Sequence, residues 1–327
     1  MQHRPLAAPR ARDLLGWPRV LAQVARHARN ARAVARLHQQ IPYDDLETIA
    51  IVRALADELR PLADQDEWPP VAEVSTAADL LEAPPPRRLE GGDLLAVAAS
   101  ITDLVRLRDW FLGREDALPV WSEAARAMAE CSAVASELRR CLDADGQLTD
   151  HASPLLGRLR RTVREREQQV RDSVQRAMSE AERRGWTTGG EVTLRGDRYC
   201  LPLRSGDRRK VDGIVHDRSH TGQTVYVEPA ATVHLANDLA ESRLAMSAEE
   251  TRILLDLNQR VDRVAADLLD QIELMLLCDR VRASMVWSDE VGGRRPEIAA
   301  GAAPRLCRAR HPLLVEALAG AGRADEV

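Results

Sequence analysis

The residues best suited to chemistry in this chain are cations. The loop Arg204-Ser-Gly-Asp-Arg-Arg-Lys210 carries four positive charges and one negative. Guanidinium and ammonium groups on a turn suit phosphate oxygens, which they bind by displacing condensed counterions and without reading bases. Arg204, Arg208, Arg209 and Lys210 are therefore candidate nucleic-acid contacts. A second reading stays open beside this one: a solvated hairpin tip whose charges keep a strand edge soluble.

Other chemistries find less support. His216, His220 and His234 lie close in sequence, but no zinc-type ligand spacing accompanies them, so they read as structural or surface histidines. No G-x-S-x-G, H-E-x-x-H or G-x-G-x-x-G motif occurs, so no catalytic constellation is expected. Lys210 is the only lysine and sits in Arg-Lys-Val, which excludes a phosphate-cradling P-loop within these 327 residues. No cofactor or metal is expected in them. The five cysteines are odd in number, widely spaced and without a C-x-x-C pair, the usage of free thiols in a reducing cytoplasm. The N-terminus has no apolar signal-peptide core, and no apolar run is long enough to span a membrane. A cytoplasmic location is expected, with no membrane partner. The net charge of −5 gives no global attraction to nucleic acid, so binding must come from a local patch.

The elements that position the loop are mostly helical. Charged residues make up 30% of the chain and aromatics 3%, a composition for Leu/Ala-packed helices rather than an aromatic-rich sandwich. Apolar spacing of three and four predicts helices over Asp13–Asn30 and Tyr43–Leu62, the second capped by Asp44 or Asp45. A short helix is expected near Thr76–Glu82. Asp93 is expected to cap a helix to about Leu112, another spans Trp121–Cys141, and Asp143–Gly146 forms a turn. A long helix follows, about Ser153–Arg184, and a second runs from about Ala230 to Trp287. Between them lies an island of alternating β-formers broken by turn residues, with strands near Glu191–Leu194, Tyr199–Leu203, Val211–His216 and Thr224–Val227. From Arg158 to Arg184 there are nine arginines against five acids; from Asp238 to Arg280 there are ten acids against five arginines. Two antiparallel helices of opposite charge would pair and largely neutralise each other, leaving only arginines off the paired face available.

The segment Gly213-Ile-Val-His-Asp-Arg-Ser-His-Thr-Gly-Gln-Thr-Val-Tyr-Val-Glu-Pro229 resembles the clamp of the second bacterial branch of the MutS family, the branch that bears an Smr nuclease domain. Asp197-Arg-Tyr-Cys-Leu-Pro202, Cys141-Leu-Asp-Ala-Asp-Gly-Gln147, Ala152-Ser-Pro-Leu155 and Ala309-Arg-His-Pro-Leu-Leu314 extend the similarity in order along nearly the whole chain.

The resemblance implies a mainly α fold: a helical core (the lever) with a long antiparallel two-helix arm carrying a small β-rich clamp at its tip. The implied divisions are 1–150 core, 151–188 outgoing helix, 189–229 clamp, 230–287 returning helix, and 288–327 a return to the core with a stub of the family's ATPase domain. That stub, from Val315 on, is expected to fray. Members of this branch are similar to dimeric, ATP- and magnesium-dependent clamps that act on branched DNA and on stalled ribosomes. What carries over is a gripping surface at Arg204, Arg208, Arg209, Lys210 and Arg218, with DNA as the expected partner and the ribosome or its RNA as the alternative. ATP hydrolysis and strand cleavage belong to family domains that these residues do not match.

Overall fold

The structure, a computed structural model, describes residues 9–43, 45–298 and 305–320. It is mainly α-helical with one small antiparallel sheet. The chain forms two compact units: one takes the described residues up to Leu138 and from Asn258 onward, the other is Arg139–Leu257.

In the first unit the expected Asp13–Asn30 helix is two helices, α1 (Pro9–Leu14) and α2 (Trp17–Ala25), separated at Gly16. Gly16 adopts a left-handed φ of 66°, and a Cβ there would lie 2.6 Å from the Leu313 side chain. An unanticipated helix, α3 (Ala31–Gln39), follows, with the Asn30 side chain accepting from the Arg32 amide. Asp45 caps α4 (Leu46–Ala63), its carboxylate accepting from the Thr48 amide at 2.6 Å; the alternative cap, Asp44, lies outside the described residues. After α5 (Ser75–Glu82), α6 (Gly91–Leu112) is capped by Glu90, not Asp93. Asp93 instead occupies the third helical position and accepts from the Glu90 amide, completing a reciprocal capping box.

The predicted Trp121–Cys141 helix is also broken, into α7 (Pro119–Arg126) and α8 (Ser132–Cys141). Phe111 and Trp121, both fully buried, stack at 5.0 Å in this core, and the Trp121 indole donates to the Leu55 carbonyl. Near the chain's end, α11 (Pro312–Gly320) is helical through Gly320, so the expected fraying does not reach the first residues after Val315; residues 321–327 lie outside the described ones.

The second unit carries the candidate site. Ser153 caps α9 (Pro154–Arg183), Pro154 occupying the first helical position where no amide is needed. The other long helix, α10 (Ala230–Glu290), contributes its residues up to Leu257 here. Ser153 hydrogen-bonds Glu249, Arg160 pairs with Glu250 at 2.9 Å, and Glu167 with Arg243 at 2.6 Å, so the two helices run antiparallel. The charge complementarity is thinner than composition implied. Of the two ion pairs between the helices among the described residues, one has the acid on α9. Arg158, Arg161, Arg171 and Arg176 are exposed and have no ion-pair partner among the described residues.

Between the helices the chain forms β1 (Thr193–Arg195), β2 (Arg198–Arg204), a 3-10 helix (Ser205–Lys210), β3 (Gly213–Arg218) and β4 (Thr224–Pro229). The sheet order is β1-β2-β4-β3, antiparallel throughout. β4 therefore lies between β2 and β3, and the Arg204–Lys210 loop is not a hairpin tip. It is a crossover that carries the chain from the Thr224 end of β4, where β2 stops, to the Pro229 end, where β3 begins.

Candidate nucleic-acid interface

One face of the sheet is apolar and fixed. Leu201 and Leu203 of β2 and Val225 and Val227 of β4 are buried against Val170, Val174, Met178 and Ala181 of α9 and Leu239 of α10. Burial of each such side chain contributes about 1.5–3 kcal/mol, which makes the sheet a rigid platform on the helix pair. Strand alternation turns Arg204, Thr224 and Tyr226 to the opposite face. There the Arg195 guanidinium lies 4.1 Å over the Tyr226 ring and pairs with Asp217 at 3.1 Å.

A buried carboxylate organises the base of this face. Glu228, 2% exposed, meets Nε2 of His216 at 2.8 Å and the Arg198 guanidinium at 3.3 Å, and Arg198 continues to Asn237 at 2.8 Å. His216 occupies a register irregularity between Val215 and Asp217, a bulge in β3. His216 is thus a structural partner, while His220 and His234 are exposed elsewhere on the unit and do not join it. Cys200 is buried beside this cluster, and burial, assisted by the negative Glu228, pushes its thiol up to about 11. Nothing local in the sequence marked Arg198 or Glu228, because residues thirty positions apart meet only once β2 pairs with β4.

The candidate cations fall into two sets. Arg204 ends β2 opposite Thr224, and Arg218 ends β3 opposite Val225, so both flank the start of β4 at one end of the sheet. Two strand spacings, about 10 Å, separate those strands, and alternation sends the two side chains to opposite faces of that end. Arg209 projects from the 3-10 helix between them in sequence. Arg204, Arg209 and Arg218 are exposed, and no ion pair engages them among the described residues. The remaining two are already engaged, Arg208 half-buried and Lys210 exposed. Arg208 donates to the carbonyls of Val211 and Gly213, at 3.2 and 2.9 Å, and so holds the entry to β3. Lys210 pairs with Asp207 at 2.8 Å.

The tip is closed by Ser219-His-Thr-Gly222. Gly222 takes a left-handed φ of 69°, its amide donates to the Ser219 carbonyl, and the Ser219 hydroxyl accepts from the Thr224 amide. A shallow cleft beside this turn is lined by Thr188, Gly189, Gly190, Arg204, Gly206 and Gln223. Small residues and exposed backbone next to an uncommitted guanidinium make a surface that a phosphodiester chain could approach closely.

The Lys210 loop does not fit an ATP–magnesium centre. Lys210 lies on the 3-10 helix paired to Asp207 instead of in a glycine-rich loop, and no cluster of three His, Cys, Asp or Glu suited to a metal occurs among the described residues.

No family model matches the chain. Over 313 residues it is 32% identical to the protein named endonuclease MutS2 from Solidesulfovibrio magneticus, covering 95% of this chain and 40% of that one. It is 34% identical over 239 residues to the endonuclease MutS2 of Thermus thermophilus, covering 73% of this chain and 31% of the relative. With the protein of the same name from Clostridium beijerinckii the identity is 26% over 308 residues, 93% of this chain and 39% of the relative. The chain thus spans well under half the length of the curated relatives it matches.

Proposed function

The chain belongs to the MutS2 branch of the MutS family, and from that premise we propose that Arg139–Leu257 is a clamp that grips duplex or branched DNA by its phosphates. The protein would serve DNA repair and the control of recombination. The observation that carries the reading is the set Arg204, Arg209 and Arg218: three exposed guanidiniums with no acid partner among the described residues, two at the Thr224 end of a rigid sheet and Arg209 on the crossover that leaves it. Their lack of base-reading geometry makes the grip sequence-independent. Arg158, Arg161, Arg171 and Arg176 on α9 extend the positive surface along the helix. Neither ATP hydrolysis nor strand cleavage is assigned to these residues; gating by ATP and magnesium would act through a nucleotide site outside them.

The test is binding of this chain to duplex and four-way-junction DNA across a salt series. Three phosphate contacts give a slope of log K against log salt of about −2.7, and each of Arg204→Ala, Arg209→Ala and Arg218→Ala reduces its magnitude by about 0.9. Binding with an unchanged slope in the triple variant would remove the clamp end from the interface. Ribosomal RNA offers the same phosphates, so co-sedimentation with ribosomes without binding to free duplex would move the target to the ribosome.

A further inference from the structure

The unit formed by residues up to Leu138 and from Asn258 onward contains a cavity of about 640 Å³ that the clamp does not use. Its floor is apolar, with Val52 of α4 and Leu277, Val281 and Met285 of α10, and Tyr43 stands at its side. Its rim holds five arginines and two acids.

The acids are already taken. Asp289 accepts two bonds from Arg60, both at 2.8 Å, and Asp57 pairs with Arg295 at 2.6 Å. Arg53, Arg280 and Arg294 have no ion-pair partner among the described residues, and Arg53 reaches only the Pro296 carbonyl, at 3.1 Å. The Nε atoms of Arg53 and Arg280 are buried and donate to no acceptor among those residues. Arginine does not shed its proton, so these two buried Nε–H donors are satisfied only by an acceptor brought to them.

The site is also built by the backbone. After α10 the chain reverses through Gly292, at φ 65°, and the Gly293 amide donates to the Ser288 carbonyl at 2.7 Å. A Cβ on Gly293 would lie 2.5 Å from the Ser288 hydroxyl. The Gly-Gly pair therefore brings Arg294, Arg295 and Pro296 back over the cavity, opposite Arg53 and Arg280.

Three guanidiniums with no acid partner among the described residues exceed what one carboxylate can answer and match a phosphate or diphosphate, which accepts forked donors from several sides. The volume lies in the range of small-molecule sites, and the apolar floor suits a flat ring. We propose that this cavity binds a phosphorylated small molecule with an apolar ring body, the class that includes nucleotides. The site is independent of the clamp and has no part in the DNA reading.

The test is a fluorescence titration of the full chain with mant-ADP without magnesium. Saturable binding is expected, displaced by unlabelled ADP and by pyrophosphate but not by adenosine. Arg280→Gln should weaken it by roughly tenfold, the loss of one charge-assisted contact, while Arg209→Ala at the clamp leaves it unchanged. If Arg280→Gln fails to fold by circular dichroism, Ser284→Trp, which fills the cavity from the exposed side of α10, should abolish binding instead. Absence of saturable binding at millimolar probe, or equal affinity in a folded Arg280→Gln or Ser284→Trp variant, overturns the proposal.

Discussion

Nε2 of His216 lies 2.8 Å from Oε2 of Glu228, a contact that ties the bulge of β3 to the last turn of β4 before α10 begins. Glu228 is 2% exposed, whereas its partners His216 and Arg198 keep about a quarter of their side chains in solvent (26% and 27%). Glu228→Ala leaves the partly solvated His216 imidazole and Arg198 guanidinium beside an apolar cavity. It should destabilise the second unit by roughly 1–3 kcal/mol, read as a lower urea midpoint. A midpoint equal to the wild type would show that the contact holds nothing together.

Gly213 tests the strand order. Its Cβ would stand 2.0 Å from the Glu228 carbonyl oxygen and 3.0 Å from the Pro229 Cα, both backbone atoms that cannot swing aside. Gly213→Ala is expected to cost at least about 1–3 kcal/mol, the range of overpacking. Gly206 meets nothing within 4 Å and has no positive φ, so Gly206→Ala should stay within about 0.5 kcal/mol of wild type. Equal effects of the two substitutions in thermal melts would contradict the β4–β3 register.

Arg208 and Arg209 are neighbours with opposite expectations. Arg208 spends its donors on the Val211 and Gly213 carbonyls, so Arg208→Ala should lower stability by about 1–2 kcal/mol and leave the salt slope of DNA binding unchanged. Arg209→Ala should do the reverse, with unaltered melting and a slope smaller by about 0.9. Urea melts and DNA titrations on the same two variants separate the roles.

Acid should loosen the helix pair. Bonds first from Arg252 and then from Ser153 hold the Glu249 carboxyl at about 2, below its ordinary 4.5. A carboxylate with a depressed folded-state pKa contributes its full stabilisation above about 4.5 and loses it as pH falls toward 2. Wild type and Glu249→Gln should therefore differ in stability at pH 6 and converge by about pH 2. A constant difference across that window would assign the effect to packing. Other depressed carboxyls, such as Glu130 and Asp150, act in both proteins and cancel in the comparison.

Thiol chemistry should be confined to one residue. Cys131, Cys141, Cys200 and Cys278 are buried and Cys307 is exposed, and none of them is in a disulfide bond. Burial also pushes the Cys200 and Cys278 thiols up, away from the reactive thiolate. Titration with an aromatic disulfide should modify one thiol per native chain quickly and the other four only after denaturation. Fast reaction of a second thiol would locate a local opening.

Much of this molecule is written in local sequence. Three-and-four spacing of Leu, Val and Ala fixed the two long helices, and of the two expected caps, Asp44 or Asp45, it is Asp45 whose carboxylate satisfies a free amide of α4. The switch to alternating β-formers between Arg184 and Ala230 identified all four strands within a few residues, since alternation is a property of neighbours along the chain. Local signals failed where no residue announces a break. The gap between α7 and α8 contains no glycine or proline, and Glu130 opens the second helix by accepting from Ser132.

The arrangement of the site was decided at long range. A one-dimensional pattern names strands but not their neighbours, and the insertion of β4 between β2 and β3 comes from pairing across twenty and more residues. That pairing converts the basic loop from a hairpin tip into a 3-10 crossover, turns Arg208 inward, and brings Arg204 and Arg218 to one end of the sheet. Residue types fixed the charge that the clamp could present. Strand order fixed which of those charges reach solvent, because a guanidinium with carbonyls within 3.2 Å is already satisfied.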